Sequence, residues 1–208
     1  MIDDVMRARR SVRRFTAEVP DRALIERALA AATSAPSASN KQPWRFLVVT
    51  NRERVARAAA AVREAVERVS RHVPPALQPA FRAYGDYFTR FESAPVVIVA
   101  LFRTLTVLSN LVDARLAEDD VARIAIMERD SGLIGTALAL QNLMLMAHTL
   151  GLGTSGMTGP LLAADALREI FEITPSWEIA ALVPLGFPAE VPPSTTRKPV
   201  SRVVEWLE

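Results

Sequence analysis

From Ser131 to Ala164 the chain carries no Asp, Glu, Lys or Arg. A stretch of that length without charge has to be withdrawn from water, into a core, a subunit contact or a lipid bilayer. Its first part, Gly132 to Leu150, is long enough to raise the question of a membrane span. Gln141 and Asn142 lie mid-segment, His148 follows, and no Lys/Arg cluster flanks either end, all of which argue against one. The expectation is a helix buried in a large core or between subunits. Gly151-Leu152-Gly153 supplies its stop, because glycine takes the left-handed conformation cheaply at a helix C-terminus. The segment after it, Thr154-Ser155-Gly156-Met157-Thr158-Gly159-Pro160, is small and flexible enough for its backbone to approach a ligand.

Apolar spacing predicts further helices over 20–32, 52–70, 79–92 and 161–171. Pro36 pushes the residue before it out of helical geometry and ends the first of these. The runs 45–50, 95–102 and 177–187 are rich in Val, Ile, Leu and Phe and read as strands. The latter two are apolar without alternation, as expected where a sheet is covered on both faces. The tyrosines and phenylalanines of 79–92 are expected in the core, with one or two free to line a cavity. Residues 103–130 show no clear pattern before the charge-free stretch and are read as a variable insertion or lid, helical in part at most. The fold class expected is α+β, in one domain over 1–208.

The chain has no cysteine and only two histidines, which removes thiolate nucleophiles, disulfides and thiolate-bound zinc. Neither His72 nor His148 has the spacing of a metal motif. Redox chemistry therefore has to come from a bound cofactor, which the protein orients. The 25 basic residues nearly balance 23 acidic ones, a formal charge of +2, so the composition gives little support to nucleic-acid binding. The N-terminus runs into arginines with no apolar segment of signal length, and a cytoplasmic, membrane-free protein is expected.

Arg9-Arg10-Ser11-Val12-Arg13 gathers three guanidinium groups and a hydroxyl within five residues, a donor set suited to phosphate. Ala35 to Trp44, which contains Pro36, Ser37, Ala38, Ser39, Asn40, Lys41, Gln42 and Pro43, offers amide and backbone donors between a helix and a strand. Together they outline a site for a ligand with an anionic tail and a polar ring. Asn40 and Gln42 also fit plain turn chemistry. Gln141 and Asn142 are expected to serve structure, and His148 to cap a helix end.

These pieces, in order with Gln141-Asn142-Leu143, His148 to Gly153 and Arg197-Lys198-Pro199, resemble the FMN-dependent nitroreductase family nearly end to end. The resemblance implies helices flanking a mainly antiparallel sheet and an intertwined homodimer with two FMN sites at its interface. The tail, residues 188–208, would dock on the partner subunit. Arg9, Arg10, Ser11 and Arg13 would hold the flavin phosphate and nearby atoms, joined by Arg197. Pro36, Ser37 and Ala38 would come from the neighbouring subunit, and Asn40 and Gln42 would bind the ribityl chain and ring edge. Met157, Thr158 and Gly159, with Gly156, would lie over the ring. The activity implied is ping-pong hydride transfer from NAD(P)H through FMN to nitroaromatic, quinone or similar acceptors, with no catalytic side chain and no metal. Flavin cleavage, reductive dehalogenation, azoline oxidation and non-catalytic FMN binding are the alternatives. Thr195 stands where many members have a basic residue, so that one phosphate contact would be lost or supplied by Lys198 instead, and Thr158 stands where some have an acid.

Overall fold

The computed structural model describes residues 1–207. Its centre is β2 (Val96–Phe102), in which every residue is buried. Antiparallel neighbours flank it: β1 (Trp44–Val49), with Leu47 opposite Val99, and β4 (Glu178–Gly186), with Leu182 opposite Val99. The two-residue β3 (Gly153–Thr154) pairs with β4, giving the order β1-β2-β4-β3. The expected α+β class and antiparallel sheet are what the structure has. β3 escaped the sequence because two residues show no period.

Successive residues of a strand face opposite sides of a sheet, so β2 splits the interior into two layers. Val96, Ile98, Ala100 and Phe102 pack with Ile25 and Ala28 of α2 (Arg22–Thr33) and with Ala139, Leu143 and Ala147 of α5 (Glu118–Thr149). Val97, Val99 and Leu101 pack with Val55, Ala59 and Val62 of α3 (Arg52–Ser70) and with Leu167 of α6 (Ala164–Ile170). With helices on both faces, neither face needs polar residues, which explains the unbroken apolar run. α3 has the predicted bounds, and Asn51 caps it by accepting a hydrogen bond from the Arg54 N–H at 2.9 Å.

Five expectations shift. The predicted helix over 79–92 is α4 (Gln78–Gly85) followed by a 3₁₀ segment, Asp86–Ser93. Phe91 is fully buried there, but Tyr84 and Tyr87 are exposed rather than in the core. The helix predicted from 161 begins as a 3₁₀ turn, Gly159–Ala163, and becomes α6 at Ala164. Most of all, α5 starts at Glu118, well before the charge-free stretch, with Glu118, Asp119 and Asp120 in its first turn where acids favour the helix dipole. It ends near Gly151, which has the anticipated positive φ of 75°. Nor is α5 buried all round: Met127, Ile134 and Leu138 stand exposed along one side. Among the described residues no helix is long and apolar enough to cross a membrane.

The segment 103–117, which contains no regular element, is anchored from α5. Glu128 is only 3% exposed, and its carboxylate accepts from the backbone N–H groups of Val107 at 2.7 Å and Ser109 at 3.0 Å. The Glu128 carbonyl accepts from the Leu105 N–H at 3.2 Å. Burial pushes the Glu128 pKa up, but the bonds from Ser109, Val107 and Leu108 outweigh burial and hold it below the usual carboxylate range. A carboxyl depressed on folding contributes stability above its unfolded pKa and loses it as pH falls through the folded one. Amides 105–109 are therefore expected to be protected from hydrogen exchange near neutral pH and to lose protection selectively below about pH 4, the ordinary Glu range. Glu128→Ala, which leaves buried donors unmatched, should remove that protection at every pH and cost about 1–3 kcal/mol. Exchange mass spectrometry across pH checks both, and protection in Glu128→Ala equal to the parent's contradicts the clamp.

Candidate functional site

After α1 (Ile2–Ala8) the chain extends and is sewn into the edge of the sheet. Ser11 bridges Thr154 of β3 in parallel, and the Val12 N–H donates to the Thr154 carbonyl at 2.9 Å. The Thr16 N–H then donates to the Phe187 carbonyl at 2.9 Å, and the Ala189 N–H to the Arg14 carbonyl at 3.0 Å. The N-terminal arginines are thus placed beside both β3 and the chain leaving β4. Arg9 and Arg10 line a small cavity of about 190 Å³ with His148, Gly151, Pro188 and Glu190. Burial, then the charge of Arg197, then that of Arg10, lowers the Arg9 pKa below its ordinary value. Arg197 of the C-terminal tail is thus near enough for its charge to act on Arg9.

Each arginine is held differently. One nitrogen of Arg10 donates to the carbonyls of Arg7 at 2.5 Å, Ala8 at 3.0 Å and Arg9 at 2.9 Å, satisfying acceptors that the end of α1 leaves free. Arg197 donates to the Thr195 hydroxyl at 2.5 Å and the Thr196 carbonyl at 3.3 Å. Thr195, which stands where a base was anticipated, orients the arginine beside it. Arg13 turns away toward a second cavity, with its guanidinium 5.7 Å from the Tyr87 ring centroid.

The chain from β3 runs straight into the glycine-rich segment. Met157 exchanges backbone hydrogen bonds with Leu182 of β4 at 2.9 and 3.0 Å and is buried. The next residue, Thr158, is exposed, and Gly159 lies against the Phe88 ring so closely that a Cβ there would come within 2.2 Å of it. Arg9, Ser11 and Met157 to Gly159 thus occupy one edge of the sheet, arranged around β3.

Pro36, Ser37 and Ala38 lie elsewhere, in a cavity of about 290 Å³ shared with Ile134 and Leu138 on the open side of α5. The loop beyond them is strained. Ser39, Asn40 and Gln42 have φ of 50°, 51° and 48°, a left-handed conformation that costs a side-chain-bearing residue about 1–2 kcal/mol. The Ser37 hydroxyl accepts the Gln42 N–H at 2.9 Å, and the Ser37 carbonyl accepts the Asn40 N–H at 2.9 Å. Asn40 and Gln42 nevertheless remain exposed. Strain kept in an exposed polar loop marks a candidate binding element, which agrees with the donors the sequence offered there, although the strain itself has no sequence signature. One chain therefore does not bring 36–42 to the arginines. Among the described residues no group of three or more His, Cys, Asp or Glu is placed to hold a metal.

A family model described as the nitroreductase family matches residues 6–187. The NADH dehydrogenase of Thermus thermophilus is 30% identical, over 95% of this chain and 92% of its own length. A BluB-like flavoprotein from Clostridium difficile superposes with a TM-score of 0.86 at 23% identity, covering 100% of this chain and 99% of that one. An oxidized iodotyrosine deiodinase, bound to FMN and 3-iodo-L-tyrosine, superposes with a TM-score of 0.77 at 20% identity over 100% of both chains. The two structures speak to the fold.

The close packing of Gly159 yields a paired test. Gly159→Ala drives a methyl into Phe88 and should cost about 1–3 kcal/mol, as overpacking does. Gly156→Ala meets only the Met144 sulfur at 3.8 Å and should fall within about 0.5 kcal/mol of the parent, as surface changes do. Denaturant titrations measure both, and equal losses contradict the geometry.

Proposed function

Since the chain belongs to the nitroreductase family, whose pattern covers residues 6–187, we propose that it binds FMN and carries reducing equivalents from NAD(P)H to nitroaromatic, quinone or similar electron-poor acceptors. The observation that carries this reading is the cavity lined by Arg9 and Arg10 beside β3, where the charge of the exposed Arg197, from the other end of the chain, also acts on the half-buried Arg9. Cationic side chains gathered without a matching carboxylate suit an anion, and guanidinium forks suit a phosphate in particular. The nearest carboxylate in that cavity, Glu190, lies 3.6 Å from Arg14.

The donor set fits the cofactor. Arg9, Arg10, Ser11 and Arg197 would hold its phosphate, and Gly156, Met157, Thr158 and Gly159 would meet the ring. Arg13 stands at the seam between this site and the next cavity. When bound, FMN supplies two-electron redox chemistry that the side chains of this protein lack. The protein's own part is to bind and orient. The Met157–Leu182 bonds fix the segment 157–159 on the sheet, while the exposed Thr158 leaves room for donor and acceptor in turn at one slot. The Thr158 hydroxyl gives that slot polarity without charge.

A second copy of the chain completes the site in this reading. Pro36, Ser37 and Ala38, with Asn40 and Gln42 beyond them, sit on the exposed apolar side of α5 beside Ile134 and Leu138. In the tail, Val200, Val203, Val204, Trp206 and Leu207 are exposed and likewise call for cover. A homodimer joined along α5, with tails crossing over, buries both surfaces and brings the loop of one copy to the arginines of the other.

The purified protein is expected to be yellow, or to become so on addition of FMN, and NADH or NADPH should bleach it anaerobically. Arg197→Gln should weaken FMN binding about tenfold or more and leave riboflavin, which lacks the phosphate, unchanged. A protein that takes up no flavin, or an Arg197→Gln variant that loses FMN and riboflavin equally, overturns the assignment. Light scattering reports the dimer, and a monomer at micromolar concentration rejects the shared site.

A further inference from the structure

A basic cleft lies at the end of the sheet where β2 stops and β4 begins. It has a volume of about 510 Å³ and is lined by Lys41, Arg103, Thr104, Thr106, Val107 and Glu178, among others. Its charges are uneven. The Glu178 carboxylate is taken by Arg129, which donates to one of its oxygens at 2.9 and 3.2 Å. Among the described residues neither Lys41 nor Arg103 has a carboxylate within salt-bridge distance, and the hydroxyls of Thr104 and Thr106 have no partner. The Arg103 guanidinium stands 5.7 Å from the Trp177 ring centroid, a contact that steadies it and leaves its charge unmatched.

The walls of this cleft are fixed. The Arg103 N–H donates to the Pro43 carbonyl at 3.0 Å, one step beyond the pairing of Trp44 with Phe102. Gly132 of α5 lies so near that a Cβ there would come within 2.2 Å of the Arg103 carbonyl. Leu105 and Val107 hang from Glu128, and the Lys41 N–H donates to the Ala38 carbonyl at 3.0 Å. A ligand therefore finds its cations on a backbone already ordered. An ammonium and a guanidinium fork with hydroxyls beside them suit a carboxylate. A neutral molecule gains nothing from the two charges.

Lys41 stands between Asn40 and Gln42, which the flavin reading puts against the ribityl chain and ring edge of a second copy's cofactor. Neighbouring Cα atoms are only about 3.8 Å apart, so an acceptor at that ring edge has the Lys41 ammonium within reach of a substituent. We propose that Lys41 and Arg103 hold the carboxylate of the electron acceptor, making nitroaromatic acids preferred over neutral nitroaromatics. This rests on the flavin reading for its place beside the ring.

The test is a calorimetric titration of the FMN-loaded protein with 4-nitrobenzoate and with its neutral amide, repeated on Lys41→Gln, Lys41→Arg and Arg103→Gln. The parent should bind the acid about tenfold or more tightly than the amide, as hydrogen bonds to a charged group allow. Lys41→Gln and Arg103→Gln should each shrink that preference by weakening the acid, and Lys41→Arg, which keeps the charge, should recover part of it. Lys41 is exposed, so its variants decide the matter should Arg103→Gln not fold. The bound acid should also shift the absorbance of the oxidised flavin. Equal binding of acid and amide by the parent overturns the proposal, as does a preference that survives both glutamine variants. Acid binding that depends on Lys41 but leaves the flavin spectrum unmoved overturns the acceptor role. A Lys41→Gln variant that weakens NAD⁺ or NADP⁺ and spares the acid assigns the cleft to the hydride donor and overturns it too. Flavin uptake by the parent is read separately: protein that takes up no FMN loses the flavin reading and the acceptor role with it, whereas protein that takes up FMN but does not distinguish acid from amide loses only the cleft.

Discussion

The rest of the structure depends on a dry central strand. All seven residues of β2 are buried, so both faces of the sheet must be sealed by helices. That requirement assigns α2 and α5 to one side and α3 and α6 to the other, and leaves no room within the sheet for chemistry. Polar function is displaced to the sheet's edge, where β3 is only two residues long. An edge that short leaves most of its backbone groups free, and the segment from Ser11 to Thr16 satisfies some of them while bringing the arginines with it. The binding edge follows from how the sheet is closed.

How much of this was legible depended on the length of the signal. The strands at 45–50, 95–102 and 177–187 and the helices at 20–32 and 52–70 were readable because each buries a repeating set of apolar residues. The start of α5 was not, because Glu118 to Arg129 mixes charges with Ile126 and Met127, both exposed in one chain, and the buried anchor there is a carboxylate. Glu128 looks like any other surface glutamate until the backbone it accepts from is in place. Tyr87 misled for the converse reason. Aromatic residues mostly join cores, but this one carries two guanidinium groups on its ring and stays partly in water. Motif order in the N-terminal segment and the tail pointed to Arg9 and Arg197 acting together, and the charge of Arg197 does reach Arg9. No local pattern predicted that Arg13, four residues away, would part from them.

The glycine-rich segment after α5 shows why small residues alone do not define a flexible loop. Met157 is locked to Leu182 by two backbone bonds, and Gly159 is small because Phe88 occupies the space a side chain would need. In the proposed site this rigidity would serve binding, since a backbone already in position loses little entropy when a ligand arrives. The exposed Thr158 between these fixed points is the one side chain of the three left to face a visitor.

The left-handed residues at 39, 40 and 42 are the counterpart across the proposed interface. A loop free to relax would shed that strain, so its retention requires restraint from both ends. Ser37 provides one restraint through its hydroxyl and carbonyl, and the bond from the Arg103 N–H to the Pro43 carbonyl provides the other. Gly135 lets Pro43 and Ser37 settle against α5, at 3.2 and 3.4 Å from where its Cβ would be. The helix that presents the exposed apolar side is therefore the helix that holds the loop in shape. In the proposed dimer, association along α5 and delivery of the loop to a second copy's arginines would be a single event, tying flavin binding to dimer formation rather than leaving the two independent.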